Sequence, residues 1–92
     1  MKAVDYNALS QRERVVVREA YCVEQKWKCW FCKTSLGGLA HERVVRAKID
    51  IKLFPRGFMK YPIHLHHSHR TGMTIGAVHC RCNAYLWQYH SK

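Results

Sequence analysis

Ninety-two residues suffice for one domain, and a chain that short buries too small a fraction of its surface for its core alone to give much stability. Sixteen Lys and Arg against six Asp and Glu leave a formal charge of +10, spread from Lys2 to Lys92, which favours a polyanionic partner and salt-dependent binding. No apolar run could span a bilayer, and no signal peptide or clean basic amphipathic helix stands out, so the expectation is a cytoplasmic, nucleic-acid-binding chain with no membrane partner.

Ser10-Gln11-Arg12-Glu13 offers a capping box, which predicts a helix running to about Gln25 within an N-terminal helical segment, residues 1–26. Val16, Ala20 and Val23 fall on one face, expected to pack inward, with Arg12, Arg14 and Arg18 spread over the rest. Residues 27–38 follow as a metal knuckle, where Cys29 and Cys32 bracket a turn and Gly37-Gly38 ends the unit. Within 39–60, His41 to Ala47 reads as helical, Ile49, Ile51 and Leu53 alternate like a strand, and Pro55-Arg56-Gly57 reads as a turn. Tyr61 to His66 and Met73 to Val78 read as strands of a hairpin, and Asn83 to Tyr89 as a closing helix.

Five cysteines in a reducing compartment point to metal binding before disulfides. Zinc takes four soft ligands, and His79 and Cys82 repeat the two-residue spacing of Cys29 and Cys32, so the predicted structural zinc set is Cys29, Cys32, His79 and Cys82. The competing set replaces His79 with Cys80. Cys22, alone on the helix, reads as a small buried hydrophobe. A redox role for the first pair lacks the βαβ context it would need.

His64, His66, His67 and His69 place four of the seven histidines within six residues. Such a cluster suits a divalent ion with a general base, although a solvated polar loop is the bland reading. Trp27, Trp30, Trp87, Tyr85 and Tyr89 have rings that suit base stacking, yet a domain this small is expected to use them as core and as walls of the zinc site.

Taken together, His66-His67-Ser68-His69, Thr71-Gly72, Gly76 and His79-x-x-Cys82-Asn83-Ala84-x-Leu86 resemble the HNH or His-Me finger endonucleases, and within them the recombination endonuclease VII group common in phages. The resemblance covers about residues 27 to 88. It implies a ββα-metal finger at 61–90 with a structural zinc site and an insertion at 39–60; with the N-terminal helix read from the capping box, the expected fold is a small α+β unit in one domain.

The resemblance also implies a metal-dependent nuclease that hydrolyses DNA, duplex or branched. His67 matches the general base, His69 the residue that contacts or polarises the scissile phosphate, and His66 and Asn83 the ligands of a catalytic divalent metal (magnesium, manganese or nickel). His66 stands where that group usually carries Asp, which removes a negative charge and leaves the ion's identity open. Asn83 alone would read as a helix N-cap. Arg70, Arg81 and Lys60 flank the site as candidate DNA contacts. The alternative class is a zinc-stabilised nucleic-acid-binding module or accessory protein that does not cut.

Overall fold

A computed structural model describes residues 1–90. A 3₁₀ turn at Tyr6–Ala8 leads into α1 (Gln11–Glu24); α2 (Glu42–Arg46) and a second 3₁₀ turn at Ile51–Leu53 follow, then β1 (Ile63–His67), β2 (Thr74–His79) and α3 (Cys80–His90). The strands form a two-stranded antiparallel sheet, and the fold is a small α+β unit. No helix among the described residues is long and apolar enough to cross a membrane.

The capping box at the start of α1 is formed in full: Glu13 donates its backbone N–H to Ser10 Oγ at 3.2 Å, and Ser10 donates its own to Glu13 Oε1 at 2.8 Å. After Gln25, Lys26 and Trp27 take left-handed backbone conformations, and Trp27 donates to the Cys22 carbonyl at 2.8 Å, which turns the chain into the knuckle. The face predicted to pack is the wrong one. Val16 and Val23 are more than 60% exposed, whereas Arg14, Val17, Arg18, Tyr21, Cys22 and Gln25 form the sheltered side. The reason is polar: the hairpin offers this helix carbonyls and a hydroxyl. Tyr21 Oη bonds Thr74 Oγ1 at 2.8 Å, Arg18 donates to the Ile63 carbonyl at 3.5 Å, and Gln25 meets Ala77.

That last contact closes the edge of β2. Gln25 accepts from the Ala77 N–H and donates to the Ala77 carbonyl, both at 2.9 Å, so its amide imitates a neighbouring strand. Trp30 also donates its backbone N–H to the Ala77 carbonyl, bringing the knuckle against β2. Gly76 permits this approach, since a Cβ there would lie 2.8 Å from Gln25 Oε1 and 3.0 Å from two Trp30 carbons.

The hairpin pairs Ile63 with His79 and His66 with Gly76, then shifts register so that His67 faces Thr74. Ile75 is the extra residue of a β-bulge at the site end of the sheet. Ser68 organises the connecting loop: its Oγ accepts from the backbone of Arg70 and Thr71, and its carbonyl from Gly72. The N-terminal segment lies along this loop. Thr74 donates to the Val4 carbonyl, Tyr6 to the Gly72 carbonyl, and Asp5 bridges Met73.

Residues 49–53 form no strand; Asp50 caps the 3₁₀ turn by accepting from Lys52, and the chain turns again at Pro55-Arg56-Gly57. The Ile49, Ile51, Leu53 alternation is taken up by the 3₁₀ turn and joins neither edge of the two-stranded sheet. Gln88 instead ties this stretch to α3, accepting from Asp50 N–H and donating to the Lys48 carbonyl. α2 buries Val44 in the core. The core itself is small and sulfur-rich: Cys22, Cys29, Cys32 and Cys82 pack with Tyr21, Leu36, Leu65, Ala77 and Val78. Trp27, Trp30 and Trp87 are not in it, being 49%, 39% and 38% exposed.

Candidate functional site

The knuckle and the β2–α3 junction meet at a buried cluster of Cys29, Cys32, His79 and Cys82, whose ligand atoms all lie within 4.8 Å of one another. A bridge between Lys28 and Ser35 closes the knuckle, and Lys33, in a left-handed conformation directly after Cys32, turns the chain back. His79 Nε2 donates to the Ser35 carbonyl at 2.8 Å, which leaves Nδ1 as the lone-pair nitrogen, 3.5 Å from Cys32 Sγ and 3.6 Å from Cys82 Sγ. Backbone N–H of His41 reaches Cys32 Sγ at 3.4 Å. Three thiols and an imidazole held in this tautomer are a donor set that could hold a metal ion such as zinc. Cys80 lies outside it, half-buried and turned toward the Met59 carbonyl. Cys22 is buried on α1, apart from the cluster.

Cys82 and Asn83 sit side by side in the first turn of α3, which begins at Cys80 rather than at Asn83. Asn83 is therefore no N-cap. It is buried within the helix and points at β1, where His66 Nδ1 donates to its Oδ1 at 3.0 Å and its Nδ2 donates to His64 Nδ1 at 3.1 Å. His66 is only 1% exposed. His64, prominent in the sequence cluster but given no role there, is thus the third member of a His66–Asn83–His64 chain and is flanked edge-on by Phe58.

His67 leaves β1 at the bulge and is half-buried beneath Tyr6, whose ring lies parallel to it at 3.8 Å. Arg14 completes the stack, its guanidinium 3.9 Å above the Tyr6 ring and its Nε donating to the Tyr6 carbonyl. Tyr6 and Arg14 were not singled out by the sequence, because no local pattern brings residues 4–6 beside residues 72–74. His69 lies 4.8 Å from His67 and packs against Trp87.

Burial is the first cause that depresses the pKa of His64, of His66 and of His69. Burial, then His69, His66 and Arg14, push His67 down to about 4. All four rings favour the neutral form, in which an imidazole can accept a proton or bind a metal.

Of the expected DNA contacts, Arg70 and Lys60 are exposed. Arg81 has a structural task instead, donating to the carbonyls of Val44, Val45 and Ala47 and so closing the C-terminal end of α2. Its Nε and Nη2 are thereby committed to α2. No protein-family model matches the chain, and comparisons with curated proteins and with solved structures give no match either.

Proposed function

We propose that the chain is a metal-dependent DNA endonuclease of the HNH or His-Me finger type, and the observation that carries this reading is the contact of His66 with Asn83 beside a neutral His67. Two ligands adjacent on a small octahedral ion, each about 2 Å from it, stand about 3 Å apart, and the 3.0 Å between His66 Nδ1 and Asn83 Oδ1 fits that spacing in the His66 tautomer protonated at Nε2, which exchanges the Nδ1–H hydrogen bond for a lone pair toward the ion. His66 and Asn83 would hold a divalent ion, magnesium, manganese or nickel. When bound, it would supply charge stabilisation to the phosphate and the leaving oxygen.

The chain's own residues account for the rest. His67, neutral at physiological pH, takes the proton from the attacking water. Tyr6 keeps its ring from rotating. His69, exposed at the loop 4.8 Å from His67, would meet the phosphate. The Cys29, Cys32, His79, Cys82 cluster, with zinc as its proposed ion, fixes the first turn of α3 and with it the aim of Asn83.

The test is cleavage of supercoiled plasmid with magnesium, manganese, nickel or no added metal, wild type against His67→Ala. The expected result is metal-dependent cutting by the wild type alone. Equal cutting by both proteins would sink the reading. A second reading, a zinc-stabilised module that binds nucleic acid without cutting it, is favoured by the charge of +10 and predicts tight, salt-sensitive binding with no cleavage under any metal.

A further inference from the structure

A cleft of about 290 Å³ opens between α1 and the hairpin beside His67 and Asn83, and its walls carry two unlike sets of side chains. Arg14 and Arg18 line it from α1, and Phe58, Tyr61 and Trp87 contribute aromatic surface.

The arginines are anchored without being neutralised. Arg14 is held by the Tyr6 carbonyl and ring, and Arg18 by the Ile63 carbonyl; each contact uses one donor of a five-donor guanidinium. The ion pairs among the described residues are the Met1 amino group with Glu24 and Arg46 with Glu42, so neither arginine has a carboxylate partner. Sheltering a charge with no counter-charge opposes folding. Here two half-buried arginines bear part of that cost on the inward face of a helix whose valines 16 and 23 stand in water. Hydrogen bonds to the Tyr6 and Ile63 carbonyls account for where the two arginines are held, and a cleft built to receive an anion accounts for the donors left over.

The aromatic set has the same character. Tyr61 is 61% exposed and Trp87 38% exposed in a domain short of core, which leaves ring surface open to the cleft. Ring faces stack on bases, and a base has a free face only where the nucleic acid is not a continuous stacked duplex.

We infer that this cleft receives one unpaired nucleotide of a DNA chain, its phosphate held by Arg14 and Arg18 and its base against Tyr61 and Trp87, so that the preferred substrate is single-stranded or locally opened DNA. The inference rests on the nucleic-acid partner proposed above and not on cutting.

Fluorescence anisotropy tests it, using zinc-loaded protein without magnesium, manganese or nickel and one labelled DNA oligonucleotide, alone or annealed to its complement. The single strand is expected to bind roughly tenfold more tightly, with Tyr61→Ala and Arg18→Gln each weakening it by roughly fivefold or more. Arg12→Gln, at an exposed position of the same helix, controls for net charge and changes affinity little. Should Arg18→Gln disturb the fold, seen as a lowered melting temperature, Tyr61→Ala at its exposed site decides alone. Equal or tighter binding of the duplex, or single-strand binding indifferent to Tyr61→Ala, overturns the inference. Failure to bind either form would sink the nucleic-acid reading with it, whereas single-strand binding without plasmid cleavage would sink only the nuclease.

Discussion

The ring of Tyr6 lies 3.8 Å from that of His67 with the two planes 9° from parallel, although sixty residues of chain separate them. The stack is delivered by backbone pairing, Tyr6 N–H to the Gly72 carbonyl and Thr74 N–H to the Val4 carbonyl, so the N-terminal segment acts as a clamp on the proposed base. Tyr6→Phe keeps the ring and should leave stability and plasmid cutting near wild type. Tyr6→Ala should destabilise by about 1 kcal/mol, read by denaturant unfolding, and should lower cutting as His67 loses its orientation. Unchanged cutting by Tyr6→Ala would remove Tyr6 from the site.

Metal analysis should find about one tightly held zinc per chain, because the four buried donors fit one tetrahedral ion. His79→Ala should release it, and Cys80→Ser should retain it, since Cys80 points away from the cluster. Because Cys82 is both a proposed ligand and part of the core, chelation should also lower the melting temperature. Retention by His79→Ala with loss by Cys80→Ser would reassign the ligands.

Gly76→Ala should destabilise by about 2 kcal/mol, as overpacking does where the neighbours cannot move away. The added methyl would meet Gln25 Oε1, fixed by its bonds to Ala77, and the base of the Trp30 side chain. Thermal unfolding checks this, and a melting temperature equal to wild type would show that the knuckle can shift.

Stability should fall on mild acidification. His64, His66 and His67 have folded pKa values below the ordinary one, burial being the first cause for each, with His67 at about 4. An unfolded histidine titrates near 6.5, so the unfolded chain takes up protons first; the stability is present above about pH 6.5 and is lost as pH falls toward the depressed values. Acid also strips metal from thiolates, so the informative comparison is with His67→Gln, which leaves the cysteines and His79 intact. The variant should lose less melting temperature between pH 7 and about 5 than wild type does. Identical slopes would show that His67 is not held neutral by the fold.

How much of this was legible in the sequence depended on whether the signal was local. Ser10 and Glu13 announced α1, and the spacing of Cys29-Cys32 and His79-Cys82 matched the cluster that forms. The face of α1 was misread because helical periodicity ranks apolarity, and Arg14 and Arg18 face a cleft instead of a core. Tyr6 and His64 were missed as partners for different reasons: one arrives through pairing at long range, and the other is chosen from among four histidines by where Asn83 points. The alternation at Ile49, Ile51 and Leu53 was a strand pattern taken up by a 3₁₀ turn.

With its arginines turned inward, α1 shows Val16 and Val23 to the solvent, and what opposes the meeting of two copies there is the mutual repulsion of bodies charged +10. That repulsion reaches about 10 Å in 0.1 M salt and about 3 Å in 1 M. Concentrated salt therefore weakens that colloidal protection, and dilute buffer preserves it.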